Sequence, residues 1–320
     1  MRAVHVTEAG APSALTLAEL PEPAALPGQV VVRNAAIGLN FIDVYYRNGT
    51  YPAPYPLVPG QEAAGIVTAV GEGVDEVTPG DRVAYATQLG AYAEYTAVPA
   101  AKLVSVPETV TLDDAAAVLL QGLAAHYLSH TSHPVAPGET VVVLAAAGGL
   151  GQLLVQLAAH LGATVVAVAS TEEKRATALA AGAHHAVPYE GFADAVRALT
   201  GGEGAHAVYD SVGAATFETS VKALRRRGTL VVCGLSSGPV PPFDVELLRT
   251  SGSLYLTRPT LADHVPDAAS LRAAAAELFR YVAQGVVRPE VGARLPLADA
   301  AKAHELLEGR GTTGKVLLTP

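Results

Sequence analysis

The sequence predicts an α/β protein in which a doubly wound parallel sheet is joined to a second, discontinuous and β-rich domain. Three observations lead there. Val141-Val142-Val143-Leu144 is a short β-branched apolar run that reads as a buried parallel strand, and it breaks through small residues and glycines into an apolar pattern of helical period. From about residue 113 to 250, strand-like and helical patterns alternate, as such a sheet requires. Residues 1 to about 120 instead carry short β-like runs divided by turn signals, and further short β segments follow from about residue 251. These boundaries assign residues 1–121 and 257–320 to the β-rich domain and 122–256 to the parallel-sheet domain.

A chain of 320 residues is long enough for two cores. Half of its residues are apolar and 16% are charged, the composition of a compact protein rather than a disordered one. A net charge of −9 gives no electrostatic basis for binding nucleic acid or an anionic membrane surface. The single cysteine, Cys233, excludes an internal disulfide and a cysteine-built zinc site, and its apolar strand context reads as an inert core thiol. The opening Met1-Arg2-Ala3-Val4-His5-Val6 alternates like a strand, with no signal-peptide character, and no apolar run reaches membrane-spanning length. A cytoplasmic protein is expected.

Taken in order, residues 29–33, 64–70 and 81–85 are the clearest β runs of the first part, with turns at Pro27-Gly28, Pro59-Gly60 and Pro79-Gly80-Asp81. Tyrosines concentrate here: Tyr45, Tyr46, Tyr51, Tyr55, Tyr85, Tyr92 and Tyr95. Such residues serve as amphipathic core and rim groups, and the cluster between Asn40 and Tyr55 also suits a flat, carbonyl-bearing ligand. Beyond the glycine turn, residues 164–169 form a second strand and 174–181 a helix that ends at Gly182. Residues 206–213 and 228–234 are later strands ending in small residues. Residues 253–257 are β-like, 268–283 helical, 289–295 β-like, 297–307 helical, and 315–318 the last strand. The short β segments of this final part are expected to return to the first domain.

Ala146-x-Gly148-x-x-Gly151 has the spacing of the dinucleotide fingerprint, with alanine at its first small position. The turn must be tight, the backbone must approach a pyrophosphate, and the helix must pack closely on the strand. It stands at the strand-to-helix junction the motif needs, where the helix aims its amides and dipole at the phosphates. Ligands in such sheets collect at the carboxyl ends of the strands, which brings Ser211, Gly213, Gly234, Ser236 and Ser237 near the cofactor. The second strand ends at Ala169-Ser170-Thr171 without the carboxylate that holds a ribose 2′-hydroxyl, and Lys174 and Arg175 follow one helical turn on. NADP is therefore favoured over NAD. The alternative is that these cations merely open a solvated helix while Glu172 or Glu173 swings back. Tyr189 stacks on the adenine or closes the third strand.

Together the motifs resemble the medium-chain dehydrogenase/reductase superfamily, and within it the zinc-independent NADPH:quinone oxidoreductases related to zeta-crystallin. The residues that carry the resemblance are Asn40-Phe41-Ile42-Asp43-Val44-Tyr45, Pro59-Gly60-Gln61-Glu62-Ala63-Ala64-Gly65, Gly80-Asp81-Arg82-Val83 and Gly90-Ala91-Tyr92-Ala93-Glu94-Tyr95. Ala145 to Gly151, Tyr209-Asp210-Ser211-Val212-Gly213, Ser236-Ser237-Gly238 and Gly252-Ser253-Leu254-Tyr255-Leu256-Thr257-Arg258-Pro259 continue it, in the family's order. The resemblance implies a GroES-like catalytic domain, a Rossmann domain, a cleft between them and a homodimer.

The chain departs from the zinc alcohol dehydrogenases of that superfamily. Asn40 and Asp43 occupy the region of their zinc cysteine, and Gln61 stands at the histidine of their Gly-His-Glu motif. Catalytic zinc needs three protein ligands and an open position. His126, His130 and His133 in one stretch, and the adjacent His184 and His185, read as satisfied surface or core residues, so no metal site is expected. Leu235 and Gln121 also depart from close relatives, which often carry a polar residue and a lysine there.

Without a Lewis acid the substrate must accept hydride readily, as quinones and electron-poor enones do. The protein then positions the nicotinamide against the acceptor and hydrogen-bonds the developing oxyanion. By similarity, Asn40, Tyr45 and Tyr51 are the candidate catalytic residues. Gly148, Gly149, Leu150 and Gly151 fall at the pyrophosphate, and Ser170, Lys174 and Tyr189 around the adenosine phosphate. Ser211, Ser236, Ser237, Thr257 and Arg258 line the cleft. Arg310, in a Gly309-Arg310-Gly311 turn, is a further cofactor residue or an exposed loop cation. The expected activity is NADPH-dependent quinone reduction. An enone or enoyl-thioester reductase, and a non-catalytic NADPH-binding protein of crystallin type, are the alternatives.

Overall fold

The structure, a computed structural model, describes residues 1–309 and 311–320, so the expected cofactor residue Arg310 lies outside the described residues. The chain divides into two compact units. One comprises Met1–Leu123, Val265–Gly285 and Pro289–Pro320, and the other Ala124–His264 and Val286–Arg288.

The first unit begins with β1 (Arg2–His5), β2 (Thr16–Glu19) and the long β3 (Gln29–Leu39), followed by α1 (Phe41–Arg47). It continues through β4 (Glu62–Val70), β5 (Arg82–Ala86), β6 (Tyr95–Pro99), β7 (Leu103–Ser105) and the start of α2 (Leu112–Tyr127). A seven-stranded sheet runs in the order β14-β15-β3-β4-β5-β7, with β6 also on β3. Here β14 is Val291–Pro296 and β15 is Lys315–Thr319, and β3 pairs antiparallel with β15, β4 and β6. Side chains alternate across a strand and the register of β3 shifts between Asn34 and Ala36, so Val30 and Val32 before the shift and Ile37 and Leu39 after it reach one core with Val67, Val83, Tyr85, Val98 and Leu318. The late helices α9 (Ala268–Ala283) and α10 (Ala300–Glu308) belong to this unit. α9 keeps its sequence-predicted bounds because Asp267 and Ser270 form a capping box at its start. The helix expected at 297–307 opens instead as a 3₁₀ turn, Leu297–Asp299, before α10.

The second unit holds β8 (Thr140–Leu144), α3 (Gly149–His160), β9 (Thr164–Val168), α4 (Glu172–Ala180), β10 (His185–Val187), α5 (Phe192–Leu199), β11 (Ala205–Asp210), α6 (Phe217–Ala223), β12 (Leu224–Val232), α7 (Glu246–Thr250), β13 (Tyr255–Thr257) and α8 (Leu261–His264). Its six strands are all parallel, in the order β10-β9-β8-β11-β12-β13. This is the doubly wound arrangement, with the strand order reversing between β8 and β11. Val141–Leu144 are buried on both faces, which a parallel strand covered by helices requires.

One expectation is corrected here. Residues 253–257, which the expected boundary after residue 256 divides, do not return to the first domain: β13 pairs parallel with β12, Tyr255 beside Thr229 and Thr257 beside Val231, and so ends the parallel sheet. A three-residue strand carries too little periodicity to announce its partner.

Candidate active site

The first group of functional residues lies at the carboxyl ends of the parallel strands. After β8 the chain turns through Ala145, held at φ +51° in the left-handed region, with its amide donating to the Tyr189 hydroxyl at 3.0 Å. Gly148 is the N-cap of α3 and offers no side chain to the first turn, so the amides of Gly149, Leu150 and Gly151 have no intrahelical acceptor. A Cβ on Gly151 would stand 2.3 Å from the Ala145 carbonyl oxygen and 2.7 Å from Ala146 Cα, so only glycine lets helix and strand approach this closely. An open amide cradle at a helix N-terminus fits the pyrophosphate of a dinucleotide. The residues present therefore fit NADP(H) at this position.

At the tip of β9, Ser170 is exposed, and Thr171 caps α4 by accepting the Lys174 amide at 3.2 Å. That cap explains why α4 begins at Glu172, two residues before the sequence pattern suggests. Arg175 curls back, its Nη1 donating to the Ala169 carbonyl at 3.3 Å. Tyr189 has its hydroxyl on the Ala145 turn, which favours the closing role weighed for it over free adenine stacking.

Next along the edge, Ser211 Oγ donates to the Leu144 carbonyl at 3.3 Å, tying β11 to β8. Ser237 Oγ donates to the Val212 carbonyl at 2.8 Å and accepts the Ala215 amide at 3.0 Å, while the Ser236 amide reaches the Ser211 carbonyl at 3.4 Å. Thr257 ends β13 and Arg258 follows it. The structure thus brings the described cofactor candidates to one edge of one sheet. Asp210, not singled out from sequence, holds that edge. Its buried carboxylate accepts the Val212 and Gly213 amides and the hydroxyls of Thr216 and Ser220, all at 2.7–2.9 Å. A polar residue closing an apolar strand was the available signal.

The second group surrounds α1 in the other unit. Tyr45 and Tyr51 are half-buried with ring centroids 5.2 Å apart, Phe41 lies 5.7 Å from Tyr45, and Tyr46 meets Tyr51 edge-on at 5.7 Å. Tyr85 and Tyr92 are fully buried core residues instead.

Asn40, expected beside the nicotinamide, has its side chain committed to the interior. Its Oδ1 accepts from Lys315 Nζ at 2.8 Å, and its Nδ2 donates to Glu62 Oε2 at 2.8 Å and to the Gly38 carbonyl at 3.2 Å. Lys315 and Glu62 form a buried ion pair at 2.6 Å, and Glu62 Oε1 also accepts the Leu120 amide of α2. Sequence inspection missed both charges because their partners lie 253 residues apart in the chain.

A further buried chain was missed with them. The Asn40 amide donates to Asp43 Oδ2 at 2.9 Å, Tyr92 Oη donates to the same oxygen at 3.3 Å, and Tyr92 Oη lies 2.9 Å from His304 Nε2. His304 Nδ1 lies 3.1 Å from Arg47 Nη1, and Arg47 grips Glu308 with two bonds at 2.7 and 3.0 Å. Burial pushes the Asp43 carboxyl up to about 7, against the pull of the Asn40 amide and Lys315. Burial, reinforced by the Arg47 charge, holds His304 down at about 3. The spacing of Asn40 and Asp43 is that of an N-cap and its third helical residue, which was the one local clue.

The donor set does not fit zinc. Around residue 40 the side chains are the Asn40 amide, the Asp43 and Glu62 carboxylates and the Lys315 ammonium, which itself bonds Asn40 and Glu62. Among the described residues no three His, Cys, Asp or Glu side chains could hold a metal ion. His133 pairs with Glu139 at 3.0 Å and His184 accepts the Val165 amide at 3.1 Å. Among the described residues, no helix is long and apolar enough to cross a membrane.

Two family models match this chain: the alcohol dehydrogenase GroES-like domain over residues 26–108 and the zinc-binding dehydrogenase over residues 149–279. A quinone oxidoreductase of Pseudomonas aeruginosa is 45% identical over 298 residues, 92% of each chain. A 2-haloacrylate reductase of a Burkholderia species is 43% identical over 307 residues, 92% of this chain and 91% of its own. The solved structure of an Escherichia coli quinone oxidoreductase complexed with NADPH superposes with a TM-score of 0.98 at 40% identity, covering all of both chains.

Proposed function

The chain belongs to the quinone oxidoreductase family of the medium-chain dehydrogenase/reductase superfamily, and from that premise we propose that it is an NADPH-dependent quinone reductase that works without a metal. The observation that carries the reading is the amide cradle at Gly148–Gly151, continued by Lys174 and Arg175 at a strand tip that lacks a carboxylate. Gly148, Gly149, Leu150 and Gly151 hold the pyrophosphate, and Ser170, Lys174 and Arg175 meet the 2′-phosphate. Ser211, Ser236, Ser237, Thr257 and Arg258 border the nicotinamide half. Once bound there, NADPH supplies a hydride. Tyr45 and Tyr51 present phenols to the acceptor, aligning a flat ring and donating hydrogen bonds to the oxygen on which charge gathers. Asn40 acts at one remove, holding the start of α1 through Glu62 and Lys315.

A second acceptor class has its own support in the relative that reduces 2-haloacrylate: an electron-poor C=C bond accepts hydride without a Lewis acid. The same reading places the protein in the cytoplasm, in keeping with a single, half-buried free cysteine, and makes it a homodimer. Support for the dimer is β13, which ends the parallel sheet and leaves Tyr255 56% exposed.

NADPH oxidation followed by absorbance, against a panel of quinones, enones and 2-haloacrylates, tests this reading. Turnover of a quinone that prefers NADPH to NADH and is indifferent to chelator supports it. Turnover of enones alone moves the substrate to the second class, and binding of NADPH without turnover of any acceptor overturns the enzymatic reading.

A further inference from the structure

The first turn of α1 is held from the protein interior. A guanidinium only donates, so His304 Nδ1 accepts from Arg47 and the imidazole proton sits on Nε2. That proton points to Tyr92 Oη, whose own proton points to Asp43 Oδ2. The chain is therefore directional: Arg47 to His304 to Tyr92 to Asp43. Asp43 Oδ2 also accepts the Asn40 amide, while the equally buried Oδ1 finds no partner among the described residues. The charged and titratable groups facing this carboxyl are Lys315 of β15, Glu62 of β4 and Tyr92, with His304 of α10 and Arg47 of α1 behind Tyr92.

The donors favour an anion, while burial opposes one and Oδ1 lacks an acceptor for a proton, so neither state of Asp43 is fully satisfied. Tyr45 lies two residues further along the same short helix, with Tyr51 against its ring. Asp43 and Tyr45 thus stand within one helical turn of each other.

We propose that Asp43 is a positioning residue for the acceptor-facing tyrosines: through Tyr92 and the Asn40 amide it sets the first turn of α1, and gain or loss of its proton re-orients Tyr45 against Tyr51. The proposal rests on the reading that those tyrosines face the acceptor. No step of the reduction passes through Asp43, because the chain behind it ends on the permanently charged Arg47.

Two readouts test it. The near-UV circular dichroism of the tyrosines, recorded on the protein without nucleotide from pH 5 to 9, is expected to show a transition near neutrality. It should shrink in Tyr45→Phe, vanish in Asp43→Asn, and move to higher pH in Tyr92→Phe, which removes a donor to the anion. In steady-state kinetics, kcat for the acceptor should break over the same pH range in the wild type and run flat in Asp43→Asn, with the Kd for NADPH within about twofold of wild type. Should Asp43→Asn fail to fold, Tyr92→Phe carries the test alone. A transition that persists in Asp43→Asn, or stays in place in Tyr92→Phe, overturns the proposal. If the wild type reduces no quinone while the spectral transition follows Asp43, the functional reading fails and the coupling of Asp43 to the tyrosines stands.

Discussion

Lys315 Nζ lies 2.6 Å from Glu62 Oε2, with the two side chains 2% and 0% exposed, so the last strand is joined to β4 by an ion pair that solvent does not reach. Removing one member strands the other. Lys315→Met is expected to destabilise the protein by about 3–5 kcal/mol, the usual cost of an uncompensated buried charge. The double variant Lys315→Met, Glu62→Gln should regain much of that loss, because the neutral side-chain amide still offers an oxygen to the Leu120 amide and carries no charge to strand. Urea denaturation of the three proteins checks both statements, and equal losses in single and double variants would contradict them.

His304 and Asp43 pull stability in opposite directions with pH. His304 sits at about 3 against an ordinary 6.5, so between these values the folded protein binds fewer protons than the unfolded chain and gains stability as pH rises. Asp43 sits at about 7 against an ordinary 3.8, so between those values the folded protein binds more protons and loses stability as pH rises. In the overlap the two cancel. His304→Gln should expose the Asp43 slope, with stability falling from pH 4 to 7 by up to about 1.4 kcal/mol per pH unit. Asp43→Asn should expose the reverse slope below pH 6.5. Denaturation midpoints measured across pH 4–7.5 distinguish them.

The two outer glycines of the cradle should respond differently to alanine. Gly151→Ala drives a Cβ into backbone at 2.3 Å and is expected to cost about 1–3 kcal/mol of stability. A Cβ on Gly148 would stand 3.2 Å from the Ala145 carbonyl oxygen, at an ordinary φ of −77°, and needs a shift of only a few tenths of an ångström, so Gly148→Ala should lose less stability than Gly151→Ala. It should nevertheless bind NADPH about tenfold more weakly, since the methyl group takes space at the amides that receive the pyrophosphate. Thermal melts and NADPH fluorescence titrations separate the two effects.

Lys174 tests cofactor choice, because it opens α4 beside a strand tip that carries no carboxylate. Lys174→Ala should leave NADH binding unchanged and weaken NADPH about tenfold or more, the loss of one charge-assisted contact to a phosphate. Equal losses for both nucleotides would reassign Lys174 to a structural role.

The sequence made local features visible and hid those built from distant parts. The Val141–Leu144 strand, the Gly148–Gly151 turn and the bare tip after Ala169 each lie within a few residues, so periodicity and turn chemistry reveal them. β13 was misassigned because three residues carry little pattern, and its partner β12 supplies the register. Lys315, Glu62, Tyr92 and His304 looked like unrelated residues of four segments. Only pairing across the first unit shows that they form one buried polar body and that it occupies Asn40, which otherwise reads as a free catalytic amide. Asp43 sat inside a quoted motif, yet its significance lies in burial, which a single sequence does not display.

The two-pronged grip of Arg47 on Glu308 also bears on the order in which the molecule can be finished. A ribosome delivers α1 within the first fifty residues but supplies Glu308 only 261 residues after Arg47, with Lys315 later still. Until then Arg47 and Glu62 are nascent charges with no counter-ion, and the aromatic helix has no fixed seat. The arrival of Glu308 and Lys315 is what licenses that helix, so a product cut short before residue 300 would present its tyrosines on an unanchored segment however well the nucleotide fold had formed.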